Sequence, residues 1–478
     1  MLALDDWIAA ETRIATGRML AAVSAVELVS QRPGFGQRIV PRPGSILASP
    51  VPAHYDPDPD YFFHWFRDSA IVIDALRVAL AAGYADSAAV ARFREFLQFT
   101  RSLHSLDGNE FLRHCDFRAR VQPAFIPYLR PDEEIAALSG EAVLADVRVN
   151  ADGTPDFIRW SRPQTDGPAM LCLTLMRWQA QFPHLQEDRR LRALLAALID
   201  TDLSFTLRQV RLPSNDLWEE QSGYHYYTQL LQAEALMRGA GWLESAGRRD
   251  QARASRRAGE ETLVRLDALW NEAAGRYDSR VAGESRGPQR GADIAIILAV
   301  LHAARLNGRH SVLDPKVQGT LAALEELFEA EYLINRERPP GRGPAMGRYA
   351  GDQYYSGGAW YLATLGAAEF YFRLACALRA GAALPDVSAN ARFRQRLGAA
   401  AAASGGDETA QLAMERGDAI MRTVQAFTPE SGDLSEQFDR TTGVQTSAKH
   451  LSWSYAAFVT AAASRKGAVD SLVKETVL

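Results

Sequence analysis

Ile294-Ala-Ile-Ile-Leu-Ala-Val-Leu301 is apolar at every position, so a helix formed here has no face for water and belongs inside the molecule. It stands among about twelve runs in which apolar residues recur at three- and four-residue spacing. These predict helices over 4–27, 68–82, 85–103, 166–182, 187–208, 222–240, 246–272, 291–305, 312–332, 357–380, 408–426 and 448–464. Strand-type alternation of Val, Ile and Thr is scarce, and other runs are amphipathic and rich in arginine. Alternating buried and half-exposed helices are what two concentric rings require, so the predicted class is all-α. The long connections, 31–65, 104–165, 209–221, 273–290, 333–356 and 427–447, carry the turn-forming and aromatic residues. Loops beyond about 15 residues are uncommon unless functional, and these are expected to gather at one end of the barrel and form the site.

With 478 residues, 47% of them apolar and 23% charged, the chain can bury a large core. No Ser/Gly linker divides it, so a single domain over 1–478 is expected. A net charge of -5 and a pI near 6.1 leave no basic footprint for nucleic acid. Cys115, Cys172 and Cys376 are odd in number and lack metal-type spacing, which predicts reduced thiols. The amino end has no signal-like apolar region, and no apolar stretch reaches the roughly 18 residues of a membrane span. The expectation is a cytoplasmic protein without a membrane partner. His54, His64, His104 and His114 are dispersed, so neither a metal nor an organic cofactor is predicted.

Asn215-Asp-Leu-Trp-Glu-Glu220 sets two acids directly behind an indole ring, and another, Glu436, stands in Ser435-Glu-Gln-Phe-Asp439. One carboxyl protonating a leaving oxygen while a second activates water is the chemistry of glycoside hydrolysis, and an aromatic face holds a sugar ring. Glu219 and Glu220 cannot form that pair, because successive side chains do not face one another. Glu436 can approach from another loop. Plainer readings exist: helix N-terminal charges for Glu219 and Glu220, a solvated loop acid for Glu436, and a helix cap for Asp68.

Five segments together resemble glycoside hydrolase family 15, the glucoamylases: Asp60-Tyr-Phe-Phe-His-Trp-Phe-Arg-Asp-Ser69, Trp160-Ser-Arg-Pro-Gln-Thr-Asp-Gly-Pro168, Asp216-Leu-Trp-Glu-Glu220, Gly347-Arg-Tyr-Ala-Gly-Asp-Gln-Tyr-Tyr355, and Leu434-Ser-Glu-Gln-Phe-Asp439 with Leu451-Ser-Trp-Ser-Tyr455. The resemblance spans nearly the whole chain. It implies an (α/α)6 barrel and an inverting, exo-acting hydrolase that releases β-glucose from non-reducing ends of α-glucans. By matching positions, Glu219 is implied as general acid and Glu436 as general base. Tyr61, Trp65, Arg67, Asp68, Trp160, Leu217, Trp218, Glu220, Arg348, Tyr349, Asp352 and Trp360 are implied around the substrate, with Gln437 and Ser447 orienting the base. Trp453 is read either as lining the site or as packing behind it.

Departures from the fungal pattern bear on specificity. Gln221-Ser-Gly-Tyr-His-Tyr-Tyr227 follows the acid pair, Gly351 stands where those members carry Glu, and loop 104–159 is longer. No starch-binding domain and no N-terminal β-sandwich is expected. Short α-linked gluco-oligosaccharides are therefore the expected partner, through α-1,4 or α-1,6 bonds. An isomaltose- or trehalose-specific hydrolase and a non-catalytic sugar-binding protein remain the alternatives, and the oligomeric state stays open.

Overall fold

The computed structural model describes residues 2–53, 57–281, 290–398 and 406–476, with side chains through 470. His54 and residues 282–289 of the connection 273–290 lie outside the described residues. Among the described residues, twelve helices of nine residues or more account for the body of the molecule: α1 (Leu4–Ala21), α2 (Phe66–Ala82), α3 (Ala88–Leu103), α4 (Asp166–Gln181), α5 (Arg189–Gln209), α6 (Tyr226–Ser245), α7 (Arg249–Asp267), α8 (Ala295–Ala303), α9 (Pro315–Glu331), α10 (Tyr361–Arg379), α11 (Gly406–Phe427) and α12 (Ser452–Thr476).

Their contacts close on themselves. α2 packs on α4, α4 on α6, α6 on α8, α8 on α10, α10 on α12, and α12 on α2. Each inner helix carries an outer one: α3, α5, α7, α9 and α11 follow their partners in the chain, while α1 lies outside α12. This is the (α/α)6 barrel. Side-chain chemistry sorts the two rings. In α8, Ala295 to Leu301 and Ala303 are all buried, as an inner helix requires. In α7, Ala252, Ser255, Ala258, Gly259, Thr262, Leu263 and Leu266 form one buried stripe, and arginines take the outer face. A Cβ on Gly239 of α6 would stand 2.4 Å from the Leu203 side chain of α5, which would have to move aside to admit it.

Helix starts are written locally where Asp188 accepts from the amides of Arg190 and Leu191, and where Asp314 caps α9 just before Pro315. Other ends depart from expectation because short strands intervene. α6 begins at Tyr226 rather than 222, since Ser222–Gly223 pair with Ser214–Asn215. α10 begins at Tyr361 rather than 357, since Ala359–Trp360 pair with Gln437–Phe438. α1 stops at Ala21 rather than 27, where Val23 bridges to Ile46 and Ser24 takes a φ of 56°. α7 stops at Asp267 rather than 272, because Trp270–Asn271 turn back on Arg276–Tyr277. The connection 104–165 holds three short helices, Gly108–His114, Asp132–Ala136 and Glu141–Leu144.

Trp178 joins three helices of the barrel. From α4 it stacks on Phe93 of α3 at 4.0 Å and 5°, and its indole N–H donates to the Ile73 carbonyl of α2 at 3.0 Å. Trp178→Ala is expected to cost about 3–5 kcal/mol, read as a lower urea midpoint. Trp242→Ala, at a partly exposed position of α6, should move it far less.

Candidate active site

Asp216 builds the turn that presents Glu219. Strands Ser214–Asn215 and Ser222–Gly223 close a hairpin, and within it the Asp216 carboxylate accepts from the amides of Glu220 at 2.8 Å and Gln221 at 2.7 Å. Glu219 is held there at a φ of 63°, a left-handed conformation that costs a non-glycine residue roughly 1–2 kcal/mol. Its carboxylate is gripped from both sides. Oε1 accepts from Trp65 Nε1 at 2.9 Å and from Arg67 Nη2 at 3.2 Å, Oε2 accepts from Trp160 Nε1, and the Ser161 hydroxyl donates to its backbone carbonyl.

Glu436 is built differently. Its amide donates to the Ala448 carbonyl at 2.8 Å, and its carbonyl accepts from the Tyr361 amide at 3.2 Å, which fixes it over the start of α10. The Ser447 hydroxyl donates to its carboxylate. Burial pushes the Glu436 carboxyl up to about 8; the Ser447 hydrogen bond and Arg348 oppose that rise, while Asp68 and Glu219 add to it. Nearby, the Tyr61 and Tyr354 hydroxyls lie 2.6 Å apart, and burial together with Glu436 keeps both phenols protonated.

These groups share one space. Tyr61, Trp65, Arg67, Asp68, Trp160, Leu217, Trp218, Glu219, Glu220, Arg348, Trp360 and Glu436 all line a cavity of about 210 Å³ at the N-terminal end of the inner ring. Trp453 lines it as well, with the Arg67 guanidinium 5.3 Å from its ring. Arg67 donates to Asp68 at 2.9 Å and to the Leu217 carbonyl at 3.1 Å, so it ties the start of α2 to the Glu219 turn. Asp352 stands behind the wall in a two-armed ion pair with Arg348, and the hydroxyl of Tyr349 donates to Glu220 at 2.6 Å from outside the cavity. No hydrogen bond joins Gln437 to the Glu436 carboxylate; its carbonyl oxygen accepts from Ser356 at 3.3 Å, and its buried amide nitrogen has no partner among the described residues. Successive side chains on a strand leave opposite faces, and Gln437 follows Glu436 directly.

Other contributors escaped the sequence reading. Tyr354, Ala48, Leu362 and Leu451 complete the lining. Asp166 lies 3.7 Å from Arg67, and burial lifts its carboxyl to about 7. Asp293 accepts the Trp218 indole N–H at 3.1 Å, and the Arg148 guanidinium sits 3.9 Å from the Trp160 ring and 4.6 Å from that of Trp65. Tyr354, Leu451 and Asp166 fall inside the quoted segments, where closeness in the chain to Trp360, Trp453 and Trp160 was a usable signal. Asp293 and Arg148 lie outside all five.

The model of the glycosyl hydrolases family 15 matches residues 147–463, well over half of the chain. The chain belongs to glycosyl hydrolases family 15. This family-15 hydrolase is similar to a protein of Schizosaccharomyces pombe called "Probable glucoamylase", at 26% identity over 98% of this chain and 93% of that one. It is 25% identical to the "Glucoamylase, intracellular sporulation-specific" of Saccharomyces cerevisiae, over 98% of this chain and 86% of the other. Against the solved glucoamylase of Hormoconis resinae the TM-score is 0.78 at 26% identity, covering 98% of this chain and 74% of that one. Among the described residues no helix is long and apolar enough to cross a membrane.

The raised Glu436 carboxyl has a stability consequence in the hydrolase. The unfolded chain loses this proton near pH 4.5 and the folded one near 8, so the folded state is favoured below 4.5 and loses that advantage as pH climbs to 8. Glu436→Gln cannot ionise. Relative to the parent it is expected to gain stability between pH 4.5 and 8, on the order of a few kcal/mol at the upper end, seen as a thermal midpoint that falls less with rising pH.

Proposed function

We propose that this hydrolase removes terminal glucose from short α-linked gluco-oligosaccharides with inversion, Glu219 acting as general acid and Glu436 as general base. The observation that carries the reading is that these two carboxyls, from segments far apart in the chain, line one cavity, Glu219 held by indole and guanidinium donors and Glu436 buried with the Ser447 hydroxyl on its carboxylate. A general acid and a general base must reach one glycosidic bond from two sides of the same cavity, and the role of each follows from its matching motif position rather than from its hydrogen bonds. Arg67, Asp68 and Arg348 line the same cavity and would hold the hydroxyls of the terminal sugar, with Trp160, Trp218 and Trp360 against its C–H faces.

Cleavage from a chain end is supported by cavity shape. About 210 Å³ is below the roughly 300–1,000 Å³ of common ligand sites, and Leu362 and Trp453, in the first turns of α10 and α12, close it toward the barrel interior. A chain end fits there better than a chain middle. The three cysteines are free, which supports a reducing, cytoplasmic setting.

Burial of Glu436 works against a base at neutral pH, and the Ser447 hydroxyl and Arg348 work for it. Ser447→Ala removes a hydrogen bond to the charged form, worth about 1.5–3 kcal/mol. The acidic limb of kcat/KM is then expected to move up by about 1–2 pH units, while variants acting only on packing would leave it in place.

Glu219→Gln and Glu436→Gln should each lower turnover of maltose by at least about a hundredfold. On α-glucosyl fluoride, whose leaving group needs no proton, Glu219→Gln should recover most of its rate and Glu436→Gln none. The reverse recovery would exchange the two roles. A panel of maltose, isomaltose and trehalose, with NMR detection of the first anomer formed, reads linkage and stereochemistry together; α-glucose as first product would end the inverting assignment.

A further inference from the structure

Arg290 belongs to none of the five segments, yet it holds the outer wall of the cavity. Its Nη1 pairs with Asp216 at 2.9 Å, its Nη2 with Glu220, and its guanidinium lies 4.0 Å from the centre of the Tyr349 ring. Glu220 is thereby saturated on one side: Oε2 receives Arg290 and the Tyr349 hydroxyl, and Oε1 receives Arg348 at 2.9 Å. An ionised carboxylate offers about four acceptor positions, and three are in use.

The placement matters because Glu220 is a partition. It lines the 210 Å³ catalytic cavity, whereas Arg290 and Tyr349 line a second cleft of about 810 Å³ on the far side, with Gln221 and Gly351. A sugar chain extending outward from the cavity on this side meets the clasp of Glu220, Arg290 and Tyr349 before it reaches the larger cleft.

Resting on the hydrolytic reading above, we infer that Arg290 is a specificity-determining residue which keeps Glu220 clasped and so favours short leaving groups over long ones. A disaccharide needs only the cavity and its immediate mouth. A longer chain must cross the clasp, so each added unit meets Arg290 where it would otherwise find the open cleft. Lysine in its place keeps a charge but not the planar fork that spans two carboxylates, so it holds Asp216 or Glu220 but not both.

The test is kcat/KM for maltose, maltotriose and maltoheptaose in the parent, Arg290→Lys and Arg290→Ala proteins. The ratio of maltoheptaose to maltose is expected to rise at least about tenfold in Arg290→Ala, the scale of one charged hydrogen bond, and by an intermediate amount in Arg290→Lys. Tyr349→Phe, which removes only one donor from Glu220, should move the ratio in the same direction and guards against misfolding of the alanine variant. Parallel losses on all three substrates with an unchanged ratio would mean that Arg290 merely supports the Asp216 turn, and overturn the inference. A parent protein that cleaves none of the three overturns the hydrolytic reading itself, and the inference with it.

Discussion

Arg67 is the charge on which the cavity end of the barrel depends. Its side chain is 5% exposed and faces Asp68, Asp166 and Glu219 at 2.9, 3.7 and 3.2 Å. Those acids come from the first turn of α2, the first residue of α4 and the hairpin before α6, so one guanidinium joins three consecutive inner-ring segments. Removing one partner of a buried ion pair typically costs about 3–5 kcal/mol because the other charge is left uncompensated. Here three carboxylates would be left, at the point where the strained Glu219 backbone also needs its side chain anchored. Stability and site geometry therefore rest on the same contact, and the strain at Glu219 persists because the surroundings over-determine it.

What was readable in the linear chain followed from how local the relevant physics is. The all-apolar run of α8 and the arginine-rich stripe of α7 declare inner and outer positions within a few turns, so two rings could be inferred before any contact was known. The starts of α6 and α10 could not, because they are set by two-residue strand pairs, one in a local hairpin, Asn215 with Ser222, and one between distant segments, Trp360 with Gln437. A two-residue strand has too little alternation to be seen against a helical background. The same limit explains Gln437. Its neighbour Glu436 points into the cavity, and nothing in Ser-Glu-Gln-Phe says which of two adjacent polar residues the strand will turn inward. Asp293, Arg148 and Arg290 reach the site through contacts with residues far away in the chain and leave no sequence pattern.

The two acids differ for reasons that lie in their elements rather than in themselves. Glu219 stands on a tight turn, where a side chain projects far enough to be met by two indole N–H groups and an arginine. Glu436 stands beside a buried strand, where backbone groups are consumed by pairing and only Ser447 reaches its carboxylate. Ser447 itself sits at a φ of 64°, so the single hydrogen bond that favours the ionised form of Glu436 is delivered by a strained residue.

The polarity of the barrel decides which end can do this. All six inner helices begin near the cavity: Trp65 immediately precedes α2, Asp166 opens α4, the Glu219 hairpin leads into α6, Asp293 lies just before α8, Trp360 just before α10, and Leu451 just before α12. Helix N-termini carry partial positive charge and unpaired amides, about half an elementary charge each. A ring of six such ends adds to Arg67 and Arg348 in holding Asp68, Asp166, Glu219, Asp293 and Glu436 close together. At the opposite end the carbonyls of α8 emerge, and arginines take their place: Arg177 donates to Ala303 at 3.0 Å, Arg238 to Ala304 at 2.8 Å and Arg373 to Leu301 at 2.7 Å. Alternating the direction of the chain between rings leaves every inner helix pointing the same way, and that gives this barrel one face where several carboxylates meet six helix N-termini.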